Sequence, residues 1–167
     1  RNGVPMRTKL VSSLALLAGG ALLVALAALA FFFVLQPKWD EDALHEVVSA
    51  AKRTGAKVWL ASGMIQKDWE IEALRHAVRT TGLPILAGNH GACRVAKEEG
   101  VPFVADWPMN VYNSVTVDWL REHGASRVTL SPELTLAQMR EVARRTDVPL
   151  EALGHGRLTL MTSEYCS

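Results

Sequence analysis

The sequence predicts an α/β fold built from parallel strand and helix repeats, preceded by an N-terminal hydrophobic helix of transmembrane character. Two observations carry that reading. From residue 37 onward one pattern recurs five times: an amphipathic run, a Gly or Asp break, then a short apolar run rich in Val, Ile and Leu. Ahead of it, residues 10–36 hold no charged residue, and a helix of about 20 apolar residues is enough to cross a bilayer. The chain therefore divides into a basic N-terminus with its hydrophobic segment, 1–36, and a β/α domain, 37–167.

The first element is the hydrophobic run LVSSLALLAGGALLVALAALAFFFVLQ. Arg7 and Lys9 before it, with Met6 as a start, also fit the basic region of a secretory signal, and Ala28-Leu29-Ala30 matches a small-x-small cleavage site. The apolar run continues through Phe31-Phe32-Phe33-Val34-Leu35 past that point, which favours a retained single-pass membrane anchor. Arg1, Arg7 and Lys9 on one flank face Lys38, Lys52 and Arg53 on the other, so the charge bias leans towards an outside domain and leaves the side open. If the segment is foreign to the β/α domain, the expected location is cytoplasmic.

The five joints follow in order: Thr54-Gly55-Ala56, Thr81-Gly82-Leu83-Pro84, Glu99-Gly100-Val101-Pro102, His123-Gly124-Ala125 and Thr146-Asp147-Val148-Pro149. A glycine just after a helix takes the left-handed capping conformation, and a proline beyond it cannot continue the helix. Each joint reads as a helix-to-strand turn. The strands fall at 58–61, 85–87, 103–105, 128–130 and 150–153, as continuous apolar runs suited to parallel strands covered on both faces. The helices between them fall at 42–53, 70–80, 92–99, 114–123 and 136–145. In the last, Leu136, Met139, Val142 and Ala143 recur at helical spacing, with Arg140, Arg144 and Arg145 on the solvent side, and Thr135 with Gln138 forms a capping pair. Five units are too few for a standard eight-stranded barrel, so the sheet is either open or part of a barrel.

Composition bounds the function. With 167 residues, 49% hydrophobic and 21% charged, the chain is one ordinary domain, neither disordered nor disulfide-stapled. Three basic residues lie before the hydrophobic run and every acid lies after it. Residues 37–167 thus set fifteen basic against seventeen acidic residues, a net −2, and no broad basic surface for nucleic acid follows. Two cysteines, Cys93 and Cys166, cannot by themselves complete a structural zinc site.

Ligands of parallel β/α folds sit at the carboxyl edge of the strands. The loops there gather polar groups: Ser62-Gly63, Asn89-His90-Gly91, the stretch from Asp106 through Asn110 to Ser114, Ser131-Pro132-Glu133, and Gly154-His155-Gly156-Arg157. His155, between two glycines, can act as acid, base or ligand, or can bond a loop carbonyl. Glu133 can serve as a general base or cap the following helix. Asn110 and Asn113 can bind a polar substrate, and Asn113 can equally cap the helix from Ser114. Cys93 reads as a small core residue, and Ser163 lacks the strained turn of a nucleophile elbow.

Three motifs in order carry a family resemblance: Asp106…Asn110-Val111-Tyr112-Asn113-Ser114, then Val128-Thr129-Leu130-Ser131-Pro132-Glu133-Leu134, then His155-Gly156-Arg157-Leu158…Ser163-Glu164-Tyr165-Cys166. Over about residues 80–167, and more weakly back to residue 37, the chain resembles peptidase family U32, the collagenase-like proteases. The resemblance implies a partial TIM-barrel-like domain. It also implies an enzyme of unsettled mechanism: either a peptidase, or an iron–sulfur protein acting in hydroxylation of RNA bases or of a quinone precursor.

The resemblance makes His155 and Glu133 the expected catalytic residues, Asn110, Asn113 and Arg157 substrate-binding residues, and Cys166 one ligand of a 4Fe–4S cluster. A second family cysteine position is Thr159 here, and the others would lie beyond Ser167. The expectation is a fragment whose full-length parent holds the cluster and which cannot hold it alone. Expected partners are the membrane through residues 10–36, a protein, RNA or small-molecule substrate, and the downstream remainder of the barrel or a partner domain. The alternative is a membrane-tethered, non-catalytic binding or structural module that keeps the fold.

Overall fold

The computed structural model describes residues 31–34 and 41–159. Strands β1 (Phe31–Val34), β2 (Val58–Ala61), β3 (Ile85–Ala87), β4 (Phe103–Ala105), β5 (Ala125–Thr129) and β6 (Leu150–Glu151) alternate with helices α1 (Glu41–Thr54), α2 (Asp68–Thr81), α3 (His90–Glu99), α4 (Ser114–Glu122) and α5 (Leu136–Ala143). All five units expected from the sequence are present, with boundaries moved by a few residues.

The hydrophobic segment is corrected in part. Its residues Phe31–Val34 form a strand paired in parallel with β2, Phe31 opposite Val58 and Val34 opposite Ala61, where a helix running to residue 36 was expected. Three aromatic residues and a valine fit a pleated surface, and their backbone groups pair with those of β2. Residues 10–30 of that expected helix lie outside the described residues, and among the described residues no helix is long and apolar enough to cross a membrane.

The six strands form one sheet in chain order, β1-β2-β3-β4-β5-β6, and each neighbouring pair is parallel. Packing puts the helices on one face. Leu44 and Val48 of α1, Leu74 and Val78 of α2, Val95 of α3, Leu120 of α4 and Val142 of α5 share one core with Leu60, Ile85, Phe103 and Val128 of the strands. Sequential strand order with every helix on one side is the winding of a β/α barrel; a doubly wound sheet reverses direction and covers both faces. The fold class is thus α/β with parallel repeats, consistent with part of a barrel.

The opposite face of the sheet carries Trp59, Ala61, Leu86 and Val104 as a second small cluster. Strand alternation assigns them there, because their neighbours Leu60, Ile85, Ala87, Phe103 and Ala105 point to the helices. A β-bulge then decides the character of this face. Phe103 pairs with Ala125 but Val104 with Arg127, so Ser126 is the extra residue, and its hydroxyl donates to the Phe103 carbonyl at 2.8 Å. Ala125 and Val128 both join the helix-side core, which strict alternation would forbid. The bulge restores Val128 to the core and turns Arg127 and Thr129 away from it.

Candidate functional site

The loop after β4 is built around a tight turn. Asp106 Oδ1 accepts from the Trp107 backbone N–H at 2.8 Å, a 3-10 turn follows over Trp107–Met109, and Asn110 ends it in the left-handed region at φ 51°. Asn110 has the only positive φ among the described non-glycine residues; asparagine tolerates this conformation where most side chains do not. The chain then dives: Val111 is fully buried, bridges Leu130 in parallel, and its carbonyl accepts from the Ser131 N–H at 3.0 Å.

That stitch joins the loop after β4 to the loop after β5. As a result Tyr112 lies against Glu133, and its hydroxyl donates to Glu133 Oε2 at 2.5 Å. Both side chains are exposed. Ser131 is fully buried, its oxygen taking the Glu133 N–H at 3.4 Å. Asn113 caps α4, with Oδ1 accepting from the Thr116 N–H at 2.9 Å and from the Thr116 hydroxyl at 3.1 Å. Its carbonyl oxygen is thereby committed to the helix start.

His155 and Arg157 stand in the loop after β6, exposed. Strands β5 and β6 are adjacent and parallel, so His155 and Glu133 share the carboxyl edge. No hydrogen bond or ion pair joins them among the described residues. Cys166, Ser163 and Glu164 lie outside the described residues. Asn110, Tyr112, Asn113 and Glu133 are therefore brought into one surface, while His155 and Arg157 share its edge without a bond to it.

Sequence reasoning missed a second polar group, on the sheet face away from the helices. Ala105 pairs with Val128 and Val128 with Leu150, so the next row across β4, β5 and β6 is Asp106, Thr129 and Glu151. Thr129 Oγ1 donates to Glu151 Oε2 at 3.3 Å, and Arg127 Nη1 lies 2.7 Å from Glu151 Oε1. The Arg127 guanidinium also stands 5.2 Å from the centre of the Trp59 ring. β3 and β4 lie between their strands, about 14 Å apart at normal strand spacing, so the two side chains reach towards each other over Leu86 and Val104. Burial pushes the half-buried Asp106 carboxyl above the usual carboxylate range; the Trp107 N–H opposes this and the Glu151 charge adds to it. One signal stands in the sequence: Glu151 is a carboxylate inside the apolar run of residues 150–153.

The described residues do not fit an iron–sulfur cluster. They contain no group of three or more His, Cys, Asp or Glu side chains placed to hold a metal ion. Cys93 lies in the helix-side core, donates to the Asn89 carbonyl at 3.4 Å, and has its thiol pKa pushed up to about 11 by burial. A cluster needs thiolates, and this thiol is held protonated.

An open parallel β/α sheet with helices on one face and polar loops along its carboxyl edge is consistent with part of a β/α barrel. Peptidase family U32 matches residues 34–167, and the chain belongs to that family. It is 28% identical to an uncharacterized protease of Methanocaldococcus jannaschii over 137 residues, which is 77% of this chain and 33% of the relative. It is 25% identical to tRNA hydroxylation protein P1 of Bacillus subtilis over 133 residues, 75% of this chain and 31% of the relative. The chain thus spans about a third of the length of these curated relatives. A solved universal stress protein from Archaeoglobus fulgidus matches at 15% identity and a TM-score of 0.24, covering 74% of this chain and 91% of that one; a likeness at that level carries no argument.

Proposed function

We propose that this chain supplies the substrate-binding sector of a U32-type enzyme, and that its substrate is a tRNA base offered for hydroxylation at the carboxyl edge of the strands. The observation that carries the reading is the exposed Tyr112 ring fastened to Glu133, in the segment that also presents Asn110. An aromatic ring can stack an unpaired base while carboxylate and amide groups read its edge. In this reading Glu133 and His155 move protons, Asn110 and Asn113 Nδ2 orient the base, and Arg157 meets a backbone phosphate.

The peptidase reading is the competitor, suggested by the family's name and by one relative. Covalent peptide hydrolysis needs a reachable, activated nucleophile. Among the described residues, the buried Ser131 hydroxyl and the buried, protonated Cys93 thiol are poor candidates for it.

Fluorescence anisotropy with a labelled tRNA, alongside a labelled denatured-collagen peptide, separates the two. The expected result is saturable RNA binding that weakens about tenfold in Tyr112→Ala, the size of one lost base stack, with little peptide binding. Peptide binding with cleavage, and RNA binding indifferent to Tyr112, would replace this reading with the peptidase one.

A further inference from the structure

Ser131 is fully buried just past β5, and it is bonded to both sides of the Tyr112–Glu133 pair without belonging to it. Its N–H donates to the carbonyl of Val111, the residue before Tyr112, at 3.0 Å. Its own carbonyl accepts from the Leu134 N–H at 3.2 Å, which closes a turn over residues 131–134. Its side-chain oxygen accepts from the Glu133 N–H at 3.4 Å.

The residue types suit this arrangement. Pro132 presets φ at the second position of the turn and has no N–H to compete for the hydroxyl. A serine hydroxyl reaches the backbone N–H two residues on, and here that donor belongs to Glu133. The two main-chain bonds of Ser131 persist whatever side chain stands there, proline excepted. The side-chain bond is the one that acts on Glu133 itself.

Tyr112 and Glu133 are exposed and stand 21 residues apart in the chain. An exposed pair of this kind pays the entropy of two restrained side chains for little gain in water. It persists where the backbone on each side is already held at the right separation. Ser131 holds the Tyr112 side through Val111 and the Glu133 side through its hydroxyl.

We propose that Ser131 is a positioning residue: its hydroxyl orients the backbone of Glu133, and through Glu133 fixes where the Tyr112 ring is presented. The proposal rests on the reading of Tyr112 as the ring that stacks a base, and extends that site to a buried residue that the base does not touch.

The test is ring NMR of Tyr112 in the full chain carrying Tyr165→Phe, so that one tyrosine is observed. Glu133→Ala removes the acceptor and is expected to shift the Tyr112 ring signals. Ser131→Ala should shift them as well, and should leave Glu133→Ala with little further effect, the non-additivity of groups that act through one another. Ser131→Thr, which keeps the hydroxyl, should restore the wild-type signals. RNA affinity should fall up to about tenfold in Ser131→Ala, as far as in Tyr112→Ala, and recover in Ser131→Thr. Thermal melts identify any variant that fails to fold. Hydrogen exchange of the Glu133 N–H in the wild-type chain then decides, with exchange several-fold slower than in an unprotected amide expected. Unchanged Tyr112 signals in folded Ser131→Ala, additive effects of the two alanine variants, or a Glu133 N–H that exchanges unprotected would each overturn the proposal. Absence of RNA binding to the wild-type chain sinks the base reading instead, and the ring signals still decide the role of Ser131.

Discussion

Asn113 and Cys93 show how one residue's environment fixes its chemistry. With Oδ1 of Asn113 taken by the two Thr116 donors, Asn113→Ala removes a helix cap and should cost about 1 kcal/mol of stability. Asn113→Asp keeps the cap acceptor and should melt near wild type. If RNA binding falls in Asn113→Asp while the melt is unchanged, the amide nitrogen contributes to the ligand surface; equal binding confines Asn113 to capping. For Cys93, a thiol pKa near 11 and a place in the core predict slow reaction with a thiol reagent at pH 8 in the folded chain, and fast reaction in denaturant. In the Cys166→Ala background, rapid folded-state labelling would show that α3 opens readily.

At the scale of elements, the turn from β3 into α3 ties two loops together. Asn89 Oδ1 accepts from the Ala92 N–H at 2.9 Å, and its Nδ2 donates to the Gly63 carbonyl at 2.8 Å and to Gln66 Oε1 at 3.1 Å. The side chain is a helix cap and also the link between the carboxyl-edge loops after β2 and β3. Asn89→Ala should therefore cost more than an ordinary cap, about 2 kcal/mol, while Asn89→Asp, which keeps the acceptor and loses the donor, should fall between. Denaturant melts of the two variants read the difference. The Ser126 bulge acts at the same scale: one extra residue in β5 separates an Arg127 turned into the helix layer from an Arg127 that clamps Glu151.

For the molecule as a whole, opposite pH dependences meet. Arg79 and Arg75 on α2 bind Glu99 of α3, Arg94 and Arg75 bind Glu98, and these hydrogen bonds hold both carboxyls below the usual range. Their contribution is present above the unfolded-state value and is lost as pH falls through the folded one. Asp106 has the opposite sign: its raised pKa favours the protonated form in the fold, and that contribution is lost as pH rises through the folded value. Glu99→Gln should flatten the acid limb of the stability profile. Asp106→Asn, whose oxygen can still take the Trp107 N–H, should gain on wild type as pH rises from the ordinary aspartate value through the raised folded one. Parallel profiles for wild type and Asp106→Asn would show that this carboxyl is not perturbed by its place in the row.

The five β/α units, the cap at Thr135, the family and the edge on which Asn110, Glu133 and His155 stand are all legible in the chain alone. Those features are local: glycine and proline at the joints, apolar spacing along each helix, and loops that must follow parallel strands. Tertiary structure alone decided that Phe31–Val34 join the sheet, because a short apolar run is equally compatible with helix and strand until β2 offers its backbone groups. It also decided the Tyr112–Glu133 bond and the row of Asp106, Thr129 and Glu151. Residue separations of 21 and 22 between bonded partners, and a bulge that reverses the facing of Arg127, leave no periodic trace in a single chain. They arise only when neighbouring strands come into register.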